Sequence, residues 1–178
     1  MEGGRAVVKR MKSIRLFEWE KYVDESELHK YADKKVYEIC TDRIFEIKTI
    51  DEEKILKLFD FLRFSDNSSV KFNLLCRSNN LEIRNHIFYA DFNSFCEFIH
   101  KFKKLYYELS GTASIGMSFE KDKIEITALN NGGICINCKI NIYSKNIEHC
   151  DLCFTVDQTY LQKMIEEIDL IYSELEII

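Results

Sequence analysis

The chain has 178 residues, with 25 Lys and Arg against 30 Asp and Glu and a formal net charge of −5. That length fits one domain, and 46% apolar residues with 13% aromatics are enough to bury a core, which excludes a disordered chain. The acidic balance argues against general nucleic-acid binding, which needs clustered Lys and Arg, and no window approaches the ~18 apolar residues of a membrane span.

Residues 1–10 are small and basic without hydrophobic periodicity and read as a disordered tail, with Met11 as an alternative start. Residues 11–178 read as a single domain. Between residues 13 and 38, Leu16, Phe17, Trp19, Tyr22, Leu28 and Tyr31 are mixed with charges, a pattern compatible with one strand or with short helical turns. Residues 44–50 alternate apolar with polar side chains, as a strand does. Residues 51–64 carry Ile55, Leu58, Phe59 and Leu62 at spacings of 3, 1 and 3, which predicts a helix with Asp51 as its N-cap. Ser65 to Ser69 is a polar loop.

Beyond that loop the reading is clearer. Residues 70–76 and 81–89 are strands joined by a turn at residues 78–80. Asp91 opens a helix with Phe95, Phe98, Ile99, Phe102, Leu105, Tyr106 and Leu109 on one face, stopped by Gly111. Residues 112–119 and 123–129 form a hairpin through a turn at residues 120–122. After the turn Asn130-Asn131-Gly132-Gly133, residues 134–143 and 148–156 form another, closed through Lys145 and Asn146, and a helix runs over residues 157–175. The two helical segments align at an offset of 66: Phe88, Asp91, Ile99, Tyr106, Glu108 and Leu109 fall on Phe154, Asp157, Ile165, Tyr172, Glu174 and Leu175. Each unit is a hairpin, an Asp cap and an amphipathic helix, and shared packing demand accounts for the likeness as well as paired half-sites would. The fold class expected is α+β, an antiparallel sheet of hairpins with two amphipathic helices and two related hairpin/helix units.

Two constellations invite a chemical reading. Cys135, Cys138, Cys150 and Cys153 make two C-x-x-C pairs, the ligand spacing of a structural zinc ribbon, and a zinc-stabilised adaptor is the reading they support. Strand parity opposes it: residues three apart on a strand face opposite ways. Pairing the apolar faces puts Cys138 and Cys150 inward, and Cys135 and Cys153 outward with Asn137, Lys139, Asp151 and Thr155. Carboxylates form the second constellation: Glu166, Glu167, Asp169, Glu174 and Glu176 on the last helix, with Glu120 and Asp122 on a hairpin turn. They suit either a solvated face or an acidic surface for a basic protein partner.

Catalytic patterns are sparse. His29, His86, His100 and His149 have no triad or H-E-x-x-H context, and Asn131-Gly132-Gly133 lacks the Lys of a phosphate loop. Cys40, Cys76 and Cys96 sit in predicted regular structure and read as inert thiols. An odd count of 7 cysteines without an export signal points to reduced thiols in a cytoplasm. No cofactor follows from any of this, although an enzyme without a recognisable motif remains an alternative.

Three segments carry a family resemblance. They are Tyr89-Ala90-Asp91 leading into Phe95-Cys96-Glu97-Phe98 and Leu105; Leu109-Ser110-Gly111-Thr112-Ala113; and Phe154-Thr155-Val156-Asp157-Gln158-Thr159-Tyr160-Leu161. Over residues 70–172 the chain resembles the WapI-type family of bacterial immunity proteins. The resemblance makes residues 70–178 an immunity-like core and residues 11–69 a divergent N-terminal part. It implies a non-catalytic protein that neutralises a cognate polymorphic toxin by binding and occluding it. A basic nuclease would suit the acidic residues Glu166, Glu167, Asp169, Glu120 and Asp122 as contacts, with no nucleic acid or membrane as partner.

Overall fold

The computed structural model describes residues 13–16, 37–79, 81–117, 121–141 and 149–176. The expected tail at residues 1–10, the Met11 start, residues 17–36, Glu120, and the hairpin closure at Lys145 and Asn146 lie outside these residues. Ten described strands form two antiparallel sheets, and two helices complete an α+β fold. The strand reading holds at β1 (Ser13–Leu16), which pairs with β2 (Tyr37–Thr41).

The first sheet continues with β3 (Phe45–Lys48), β4 (Ile55–Phe64), β5 (Ser69–Ser78) and β6 (Leu81–Asp91), in the order β1-β2-β4-β5-β6. β2 and β3 lie end to end along one edge of β4, with Thr41 opposite Phe61 and Phe45 opposite Leu58. The helix expected over residues 51–64 is therefore a strand from Ile55 onward. The strand carries a β-bulge: between Phe59 and Leu62 the register against β5 gains one residue, and Asp60 takes φ of 54°. Leu56 and Leu58 point inward before the bulge and Phe61 and Arg63 after it, whereas Phe59 and Leu62 are half-buried on the other face, so the apparent helical stripe mixes apolar side chains of both faces. Asp51 caps no helix. It accepts the Glu53 N–H (3.1 Å) and the Thr49 hydroxyl (2.5 Å) in the β3–β4 turn.

Helix α1 (Phe92–Glu108) opens where expected: Asp91 accepts hydrogen bonds from the N–H groups of Asn93 (2.8 Å) and Ser94 (3.2 Å). It ends at Glu108, three residues before Gly111, because Leu109 itself adopts the left-handed conformation with φ of 49°. Gly111, at φ of 89°, then turns the chain into the second sheet, and its carbonyl accepts the Ala128 N–H. That sheet is a meander in the order β10-β9-β8-β7: β7 (Thr112–Gly116), β8 (Lys123–Ala128), β9 (Gly133–Asn141) and β10 (His149–Asp157). Asp157 accepts the Thr159 N–H (2.8 Å), and a single 3-10 turn leads into α2 (Leu161–Glu176). Both hairpin/helix units thus exist, β5–β6–α1 and β9–β10–α2, but their hairpins belong to different sheets.

Each helix buries one apolar face and keeps its other side exposed. α2 packs on β2, β3 and β4, α1 packs on β7 and on β5, β6 and β8, and the helices touch each other. Phe72 of β5 is the centre of this contact. Its ring stacks on Phe88 at 5.0 Å and lies 5.3 Å from Phe61 and 6.4 Å from Phe95 of α1. Phe45 meets Phe102 of α1 edge-on at 5.3 Å. We expect Phe72→Ala to lower the unfolding free energy in urea by about 3–5 kcal/mol, through lost transfer energy plus a cavity. Ile87→Ala, on the exposed face of the same sheet (44% exposed), should cost less than about 1 kcal/mol.

Candidate functional site

The β9–β10 register places the four spaced cysteines. Cys138 stands opposite Leu152 and Cys150 opposite Ile140, both buried; Cys135 stands opposite Thr155 and Cys153 opposite Asn137, on the outer face. Inside, Cys138 meets Cys76 of β5, a contact that with burial drives the Cys138 thiol well above its ordinary range. Outside, the sulfurs of Cys135 and Cys153 lie 3.5 Å apart. The sheet separates the two pairs, so their four sulfurs cannot converge on one tetrahedral ion, and the adaptor reading loses its ligand set. Burial, with Cys153 beside it, pushes the Cys135 thiol up to about 11. The thiol form therefore dominates near neutral pH.

The carboxylates of α2 divide by their neighbours. Glu166 is exposed, whereas Asp169 pairs with Lys103 of α1. Glu174 takes Arg43 at 2.5 Å together with the Thr41 hydroxyl, and Glu167 stands 3.6 Å from the same guanidinium. Glu176 accepts the Tyr172 hydroxyl at 2.6 Å, a bond that pushes the tyrosine up to about 12. The β2–β3 break is what turns Arg43 toward α2. Three of the acidic side chains thus hold the helix onto β2, β3 and α1 as well as colouring its surface.

Asp122 is not on an exposed turn. It is 1% exposed, because it sits where the two sheets meet. One oxygen accepts both the backbone N–H (2.7 Å) and the side-chain amide (2.8 Å) of Asn141, and the other lies 2.6 Å from His86 Nε2 of β6. Burial explains the arrangement, since a carboxylate removed from water needs such partners. No sequence signal marks it: His86 and Asp122 are 36 residues apart and meet only through sheet packing. His100 and His149 are exposed and apart from this group.

Two outcomes follow from this geometry. With iodoacetamide at pH 8, peptide mass spectrometry should find Cys153 alkylated before Cys135 and Cys138 last. The Cys135 rate should climb about tenfold per pH unit between pH 7 and 9, because a raised thiol pKa leaves the thiolate fraction still growing there. Asp122→Ala should lower stability in urea by about 2–3 kcal/mol by stranding the Asn141 N–H, whereas a surface carboxylate would change it by less than about 0.5 kcal/mol.

Among the described residues no helix is long and apolar enough to cross a membrane, and no group of three or more His, Cys, Asp or Glu could hold a metal ion. No curated protein and no solved structure matches the chain. A family model does, over residues 43–176, from Arg43 at the β2–β3 break to the last residue of α2. It includes the bulged β4, the His86–Asp122 contact and both hairpin/helix units. On that match the chain belongs to the Immunity protein WapI-like family.

Proposed function

We propose that this protein neutralises a cognate bacterial toxin by binding and occluding it in the cytoplasm, without catalysing a reaction. The observation that carries the reading is the family match across the body of the fold, both sheets and both helices. An occluding protein needs a rigid surface rather than an active site, and one continuous core beneath both sheets and helices provides it. The net charge of −5 favours a basic partner, of which a nuclease domain is one example.

The contact surface proposed is the outward side of α2 around Glu166, with Glu167 and Asp169 at its edge; Glu120 belongs to the same expectation. Asp122 is withdrawn from the contact set because its carboxylate is buried. Glu166 is the strongest member, because it is exposed, whereas Glu167 and Asp169 share their charge with Arg43 and Lys103. Such rim charges act mainly on the association rate.

The test is co-expression with the product of the neighbouring toxin gene, followed by size exclusion and surface plasmon resonance. Protection of the cells and a stable complex are expected. No protection and no complex would overturn the reading. In the complex, Glu166→Lys should slow association about tenfold at low salt, with a smaller effect at high salt. An unchanged rate would move the contact elsewhere, with the exposed Ile87 and Tyr89 on the outer face of the first sheet as the competing surface.

A further inference from the structure

We propose that Cys135 and Cys153 form a thiol-oxidation site, closing under a hydroperoxide into a reversible disulfide across the outer face of the β9–β10 hairpin. The two sulfurs already lie 3.5 Å apart, with Thr155 directly opposite Cys135 and Asn137 directly opposite Cys153. A disulfide needs about 2.04 Å, within reach of side-chain rotation and a small inward movement of the strands. The remaining cysteines of this hairpin, Cys138 and Cys150, point into the core, so the sheet itself keeps them out of the exchange.

The roles of the two sulfurs differ. Cys153 is exposed and borders a shallow cleft with Ser78, Asn79, Leu81 and Asp151, which admits a small oxidant. Its backbone is held from the other sheet by Ser78, whose hydroxyl donates to the Cys153 carbonyl at 3.4 Å. Cys153 thiolate attacks one peroxide oxygen, the O–O bond breaks, and the sulfur becomes a sulfenic acid as the alkoxide or hydroxide leaves and takes up a proton. Cys135, half-buried beside it, gives up its proton and attacks that sulfur as the thiolate. The S–S bond forms, the S–O bond breaks, and hydroxide leaves with the Cys135 proton as water. Two electrons pass from the sulfur pair to the peroxide.

The register also sets the strength of the bond. Cys135 and Cys153 are diagonal neighbours, and diagonal positions on an antiparallel pair stand about 7–8 Å apart, beyond the ~4.4–6.8 Å between α-carbons that disulfides prefer. Closing the bond pulls the strands together against the ladder, and a strained, exposed disulfide is easily reduced. The site is thus a labile redox modification rather than a structural staple.

The full-length protein is treated with hydrogen peroxide, quenched with an alkylating agent and mapped by mass spectrometry without reduction. The expected product is about 2 Da lighter, with one peptide cross-link joining Cys135 to Cys153. Millimolar glutathione should return it to the free thiols. Cys135→Ser, a change on the outer face, should stop the cross-link and leave Cys153 as sulfinic acid or as a glutathione adduct, while circular dichroism checks that the fold is kept. Wild-type protein in which Cys153 over-oxidises with Cys135 still reduced would overturn the proposal. So would a cross-link to a different cysteine, or one that resists glutathione.

Discussion

The rest of the structure depends on the aromatic contact around Phe72. Its ring joins β4 through Phe61, β6 through Phe88 and α1 through Phe95, so three strands and a helix share one packed centre. Rings of that size bury large apolar areas and accept tilted or stacked geometries, which lets twisted strands and a helix meet without voids. With α1 seated there, the same apolar side also packs on β7 and β8, and the second sheet has an inner face to build on. Isoleucines dominate that face: Ile115, Ile124, Ile126, Ile134, Ile136 and Ile140 are all at most 2% exposed. β-branched residues suit a pleated surface, and they explain why this sheet folds as a plain meander.

Polar contacts then fix how the layers sit. Arg63 is buried at 6% exposure, with its guanidinium 4.2 Å from the Phe92 ring and its donors on the Leu175 carbonyl and the Asn67 side chain. It fastens the end of α2 to the first sheet by an aromatic face and hydrogen bonds together, while its buried Nε is left without one. Arg43 does the same nearer the surface, where each ion pair is worth about 0.5–1 kcal/mol. His86 and Asp122 tie the first sheet to the second. These contacts orient elements that the apolar core alone would leave free to slide.

The same contacts change the meaning of the acidic cluster. Counted along the sequence, α2 carries five carboxylates in a row of turns, with Lys163 as the local offset. In the folded protein, cations from β2–β3 and α1 reach across to it, and the charge they leave unpaired lies at Glu166 and Glu176. A surface field is a sum over everything nearby in space, so helix composition overstates it.

Local pattern determined much of this protein. The α+β class, the two helices with an aspartate at the entry to each, the hairpins and the split of the cysteines between two faces all follow from spacing, because side-chain direction on a helix or strand is set within a few residues. The family resemblance was legible for the same reason, in the hairpin-to-helix junctions. Tertiary structure decided the rest. Residues 55–64 became β4 rather than a helix, since pairing with β5 outweighed a local spacing that mixes apolar side chains of both faces. The hairpin/helix units went to separate sheets, Asp122 became an interior anchor, and Arg43 and Lys103 met α2. Each of these joins residues distant in the chain, and only the packing of the two sheets and two helices brings them within reach.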